Sequence, residues 1–285
     1  MHQFPVRKTI DLGEGGQSLS YFEAGTGPDV LLVHGTLTTS HEMVLALFAE
    51  LTSKYRVFSV DRPGQGQSTR RRLAGSPQSQ ADVIMQGARA LGLRRSLVVG
   101  HSLGATVAVN MALAFPDEIA GVVAIAPLAF PEPRLETLLF GSRGLPGFGD
   151  VSAFFNHFGP DISMLPLLWR AMFLPQEMPS FFRENFPFAE VSCGKAMRAT
   201  GEDALETPLA LVDSAFRYAG CKTPMRIIAG NLDAVVNPAL HAVPLSRLLA
   251  RAEVLIMDGL GHMLHHFEQA RIGKAVDELA NFADR

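Results

Sequence analysis

Apolar positions along the chain follow two rhythms. Residues 29–33 (Asp-Val-Leu-Leu-Val) form a continuous apolar run, as a strand buried on both faces requires. Met43, Leu47 and Leu51, joined by Val44 and Phe48, fall on one helical stripe. Arg56 to Val60 reads as the next strand, 78–92 as a helix and 96–100 as a further strand. A helix over 103–115 must stop before Pro116, because the residue preceding a proline disfavours the helical conformation. Gly121 to Ala126 is again strand-like. Ahead of this series, 8–12 and 18–23 read as two short strands around a turn at Gly13 to Gly16. After a long interruption the rhythm resumes with strand 225–230, helix 239–250, strand 253–257 and helix 265–282, the last carrying an Ile272, Val276 and Leu279 stripe. Strands alternating with helices predict βα units and a mostly parallel, doubly wound sheet.

The interruption has a different texture. From Pro127 to Ala219 no clear alternation is visible, yet the stretch holds 12 of the 19 phenylalanines, 10 of the 18 prolines and Trp169. Segments 151–158, 163–173 and 203–218 read as short helices. The expected organisation is a sheet-based core over 1–126 and 220–285, with 127–219 inserted between two strands as a helical cap. An apolar cap suits the roof of a lipophilic pocket, and equally needs an apolar core of its own.

Composition narrows the class. The 285 residues fit one large α/β domain, with or without an insertion. With 47% hydrophobic and 19% charged residues, a substantial core is available and global disorder is excluded. A net charge of −3 gives no reason to expect nucleic acid. Cys193 and Cys221 lack the spacing of a metal site and are too few for a disulfide framework. Met1 to Lys8 has no apolar signal core, and no apolar run approaches the ~18 residues of a membrane span, so a cytoplasmic protein is expected.

The chemistry centres on Gly100-His101-Ser102-Leu103-Gly104, placed between a strand and a helix. Glycines on both sides leave room for a sharp turn that lifts the serine hydroxyl above the sheet edge, as a nucleophile elbow requires. A serine hydroxyl needs a base, and the base an orienting carboxylate. Asp233 follows strand 225–229, and His262 follows strand 253–257, so both fall on the sheet edge where ligands bind in parallel sheets. Asp258 is a rival acid, but it precedes His262 by one turn. The strand before the insertion ends Ala124-Ile125-Ala126-Pro127 without a carboxylate, which favours Asp233. His101 is expected to bury its ring, and His265 and His266 to start the last helix near the site. An oxyanion needs N–H donors. The Leu103 amide offers one, and the Thr36 amide, in the loop His34-Gly35-Thr36, is the candidate second. Thr39-Ser40-His41-Glu42 has the form of a capping box. Gly64-Gln65-Gly66 superficially suggests a phosphate loop but lacks a following lysine.

Taken together, these residues resemble the α/β-hydrolase superfamily, in its serine-nucleophile, carboxylesterase-like members with a helical cap. His34-Gly35-Thr36 is similar to the family's oxyanion motif, Asp61 to Ser68 to its Asp-x-Pro-Gly-x-Gly-x-Ser turn, and Gly100 to Gly104 to its elbow. The order Ser102, Asp233, His262 is the family's serine, acid, histidine order. Gln65 stands where a histidine is usual, and Ala270 where relatives often carry proline. The resemblance implies an α/β-hydrolase fold and a cofactor-free, metal-free hydrolase of small to medium apolar carboxylic esters. It equally admits a lactonase, a carbon–carbon hydrolase of diketones, or a ligand-binding protein on the same scaffold.

Overall fold

The structure is a computed structural model that describes residues 4–13, 16–154 and 160–283. Its framework is an eight-stranded sheet in the order β1-β2-β4-β3-β5-β6-β7-β8. The strands are β1 Lys8–Asp11, β2 Ser18–Ala24, β3 Asp29–Val33, β4 Arg56–Val60, β5 Ser96–His101, β6 Ile119–Ile125, β7 Met225–Gly230 and β8 Ala252–Met257. β1 and β2 pair antiparallel with each other, and β2 antiparallel with β4; β3 to β8 run parallel. The chain leaves β3 for β4 on one side and returns to β5 on the other. The loops after β3 and β5 therefore part at their carboxyl ends and open a crevice.

Helices cover both faces. On one side lie α2 (Pro77–Ala90), α3 (Leu103–Ala114) and α10 (Ala242–Leu248); on the other lie α1 (Ser40–Leu51) and α11 (Gln269–Ala283). The period of two along the strands sorts the core: Leu31 and Val33 join the first layer, Val30 and Leu32 the second. Both layers are buried and apolar, which is why the strands read as unbroken apolar runs.

Between β6 and β7 the described residues hold six α-helices, one 3-10 turn and no strand. They are α4 Leu135–Gly144, α5 Phe148–Phe154, α6 Pro160–Phe173, α7 Ser180–Asn185, α8 Phe188–Ser192 and α9 Gly194–Arg217. A third apolar cluster, including Phe140, Trp169, Phe173 and Phe182, holds these helices together and includes Leu37 and Met263 from the sheet edge. The Trp169 indole N–H donates to the Leu37 carbonyl at 2.9 Å, tying the helical layer to the loop after β3.

Several elements depart from the expected boundaries. The whole of α4 was not expected, and α9 begins well before residue 203. Residues 155–158 of the expected 151–158 helix lie outside the described residues. The expected helix over 265–282 divides into a 3-10 turn, Leu264–His266, and α11. Cys193 and Cys221 are both free. Among the described residues no helix is long and apolar enough to cross a membrane.

Candidate active site

Ser102 occupies the corner between β5 and α3 with φ 55° and ψ −122°. That backbone region is unfavourable for a residue with a Cβ, and such strain, about 1–3 kcal/mol, persists only where the surroundings enforce it. Here they do. The Ser102 N–H donates to the Ile125 carbonyl at 2.8 Å, and the Ala105 N–H bonds back to the Ser102 carbonyl at 2.9 Å. A Cβ on Gly104 would run into the carbonyls of Val33 and His34, and one on Gly100 into the Gly104 carbonyl. The turn can therefore pack against β3 only with glycine on either side.

Ser102, Thr36 and His262 line one cavity of about 470 Å³ above the sheet edge. A smaller space of about 30 Å³ continues past Ser102, Thr36 and Leu103 toward α9. The larger cavity is walled by apolar side chains such as Leu139, Leu168 and Met172. His262 is buried, and its Nδ1 lies 2.8 Å from Asp233 Oδ2. Since the carboxylate only accepts, neutral His262 carries its proton on Nδ1 and leaves Nε2 with a free lone pair. The second Asp233 oxygen accepts the N–H groups of Val235 and Val236, each at 2.8 Å. Burial pushes the Asp233 carboxyl up, but His262 and these two amides outweigh it and hold the group below the usual carboxylate range. Asp258, the rival acid, instead accepts from the Asn231 amide at 2.9 Å in an exposed turn.

The loop carrying Thr36 is held from beneath. His34 is fully buried; its Nδ1–H donates to the Gly35 carbonyl at 2.9 Å, and its Nε2 accepts the Arg62 N–H at 2.9 Å. Burial, reinforced by Arg62, pushes the imidazole down to about 4, so it stays neutral. The buried Arg62 guanidinium donates to the carbonyls of His34 and Gly35, at 3.0 and 3.1 Å, and to Asp203 on α9 at 2.9 Å. Leu37 then takes φ 56°, turning the chain sharply after Thr36. Asp203 also pairs with Arg70, which binds Glu202 as well. Nothing local in the sequence signals this ionic lock between the Asp61–Ser68 turn and α9. Within that turn the buried Gln65 side chain reaches Thr200 at 3.2 Å, and the Asp61 carboxylate receives the N–H groups of Ser40 and Gln67. Gly66 lies against this internal carboxylate and Gly64 against Ala199 and Arg70, so both glycines serve packing of the turn.

The capping box is not formed. The Thr39 side chain makes no cap bond, and Glu42, fully buried, turns inward instead. Its Oε1 accepts from His265 and His266, the latter at 2.9 Å. Burial pushes this carboxyl up, but the two imidazoles hold it well below its ordinary value. His265 and His266 thus serve the 3-10 turn that follows His262 and line neither cavity. His101 is buried as expected; its ring packs on His262 and His265 with centroids 4.7 and 4.2 Å apart, and its Nε2–H donates to the His262 carbonyl at 3.2 Å. Sequence reading also missed Glu132, Arg134 and Glu136, which line both spaces.

The model described as "Alpha/beta hydrolase family" matches residues 30–272. A 2-(acetamidomethylene)succinate hydrolase of Mesorhizobium japonicum is 26% identical over 98% of this chain and 95% of its own length. An uncharacterized carboxylesterase of Bacillus subtilis is 23% identical over 89% of this chain and 79% of that protein. Among solved structures, a thermophilic esterase from Thermogutta terrifontis superposes with a TM-score of 0.73 at 21% identity, covering 98% of this chain and 99% of that one. A putative lipase from Acinetobacter baumannii gives 0.75 at 21% identity, covering 99% and 92%.

Proposed function

Because the chain belongs to the alpha/beta hydrolase family, we propose that it is a serine hydrolase cleaving small to medium apolar carboxylic esters through an acyl-enzyme. The observation that carries this reading is the strained Ser102 facing the same cavity as His262, whose Nδ1 is held by Asp233. In the first step the Ser102 Oγ attacks the ester carbonyl carbon while His262 Nε2 takes the hydroxyl proton. The carbonyl oxygen becomes an oxyanion, held by the N–H groups of Thr36 and Leu103. Collapse of the tetrahedral intermediate breaks the bond to the alcohol oxygen, which leaves with the proton from His262. Water then repeats the sequence: His262 removes its proton, the hydroxide adds to the acyl carbon, and Ser102 departs reprotonated. Asp233 keeps the imidazole in its working tautomer and supports the imidazolium formed in each half. Segment 127–219 acts as a cap whose apolar side chains receive the acyl chain, in keeping with the lining of the larger cavity.

The test is a fluorophosphonate probe read by peptide mapping, beside a panel of p-nitrophenyl esters. Label at Ser102 is expected, with turnover falling by about 10⁴-fold or more in Ser102→Ala and about 10⁴-fold in Asp233→Asn, without change in the far-ultraviolet circular dichroism. Undiminished turnover in Ser102→Ala defeats the mechanism. Labelling without turnover of any ester, lactone or diketone points to a binding protein on the hydrolase scaffold.

A further inference from the structure

The cavity beside Ser102 is walled mostly by apolar side chains, and among the described residues its polar lining, apart from Thr36, Asn237 and the Ser102–His262 end, is one charged cluster. Glu132, Arg134 and Glu136 line both the larger cavity and the smaller space. Arg134 is the sole lysine or arginine among the described residues that line either. Each of its three nitrogens donates to a neighbour. Nη1 donates to Glu132 at 2.7 Å, while Nε and Nη2 donate to Glu136 at 3.1 and 2.6 Å. Nη2 also points at the Val235 carbonyl, 3.4 Å away. His241 adds no charge. Burial lowers its pKa, and its Nδ1 accepts the N–H groups of Ala129 and Phe130, so it meets Glu132 as a neutral ring.

In the larger cavity the count is then two carboxylates against one guanidinium. The arginine has no free donor pair for an incoming anion. Each carboxylate has about four lone-pair sites and uses only some of them on Arg134. A substrate carboxylate would have to displace Glu132 or Glu136 and would meet a net negative wall. A cation would find acceptors already in place, in a partly desolvated setting where charge counts for more than in water. We infer that Glu132, Arg134 and Glu136 are specificity-determining residues that make the cavity favour substrates with a cationic end and reject those with a free carboxylate. This rests on the reading of the cavity as the substrate site.

Three p-nitrophenyl esters of matched length test it: the pentanoate, the glutarate half-ester bearing a carboxylate, and the trimethylammonio-butanoate. In the wild-type protein kcat/KM is expected to fall in the order ammonium, neutral, carboxylate, with about tenfold or more between the extremes at low ionic strength. The spread should shrink at about half-molar salt. In Glu132→Gln/Glu136→Gln, Arg134 remains as the only lysine, arginine, aspartate or glutamate among the described residues lining the larger cavity, and the order should invert. Should the double variant fail to fold, Glu132→Gln alone narrows the spread. Equal or faster turnover of the carboxylate ester by the wild type, or an unchanged order in the double variant, overturns the inference. Calorimetric titration with pentyltrimethylammonium and with hexanoate reads the same preference without turnover. Cation preference without hydrolysis of any ester leaves this inference standing and removes the esterase reading; hydrolysis without charge preference does the reverse.

Discussion

Glu42 offers a sharp quantitative test, because two substitutions remove different parts of one interaction. Its Oε1 accepts the Nε2–H of His265 and of His266, all three groups being buried. Glu42→Ala leaves both donors without an acceptor in the interior. Each unpaired donor costs about 1–3 kcal/mol, and loss of one member of a buried charged group costs about 3–5 kcal/mol in all. For 285 residues, an unfolding entropy of about 2.1 cal/mol/K per residue gives about 0.6 kcal/mol/K, so the melting temperature should fall by about 5–8 °C. Glu42→Gln behaves differently. The amide oxygen replaces the accepting Oε1, and the amide nitrogen replaces Oε2, which has no hydrogen-bond partner in the structure. Only the charge reinforcement of the two bonds is lost, about 1–2 kcal/mol, for a fall of about 2–3 °C. Scanning calorimetry of both variants at neutral pH measures the contrast. Equal melting of the two variants, or an alanine variant within a degree of the wild type, refutes the claim that Glu42 matters as a shared acceptor.

Two further predictions follow from the loop that carries Thr36. The His34 imidazole has a folded pKa of about 4, below its ordinary 6.5. The unfolded chain therefore takes up the proton first, so the stability due to neutral His34 is complete above pH 6.5 and is lost as pH falls through about 4. Urea midpoints between these limits should decline more steeply for the wild type than for His34→Gln, by up to about 3 kcal/mol across the window; parallel declines would eliminate this role. Asp203→Asn removes the carboxylate facing the fully buried Arg62. It should cost about 3–5 kcal/mol in a denaturant titration. Glu202→Gln should cost less, since Arg70 keeps Asp203; the reverse ranking would contradict the assigned pairing.

The strands and the elbow were legible because their determinants are local. A buried parallel strand must be apolar throughout, and the Ser102 corner must have Gly100 and Gly104 beside it. The helices of 127–219 were less so. α9 contains Pro208 and Gly201, residues that usually interrupt a helix. In the fold Gly201 faces Gly144 on α4, where a Cβ on Gly144 would come within 2.6 Å of the Gly201 backbone. The glycines serve a close helix–helix approach, and a single chain read in order cannot separate that use from a loop. The capping box was misread for a related reason. The Thr39 to Glu42 pattern is local, but the Glu42 carboxylate was claimed by histidines more than 200 residues away, which it reaches across the packed face of α1.

The order of strands and helices, the apolar faces of the sheet and the corner at Ser102 follow from side-chain periodicity and backbone sterics, which act over a few residues and so are written in the sequence. Which charged groups meet is settled by strand order and helix packing. The fold sets Asp233 beside His262 while Asp258 turns to Asn231, and joins Arg62 to Asp203. Partners separated by tens to hundreds of residues are chosen by the need to satisfy each buried charge within reach, and that reach exists only once the chain has folded.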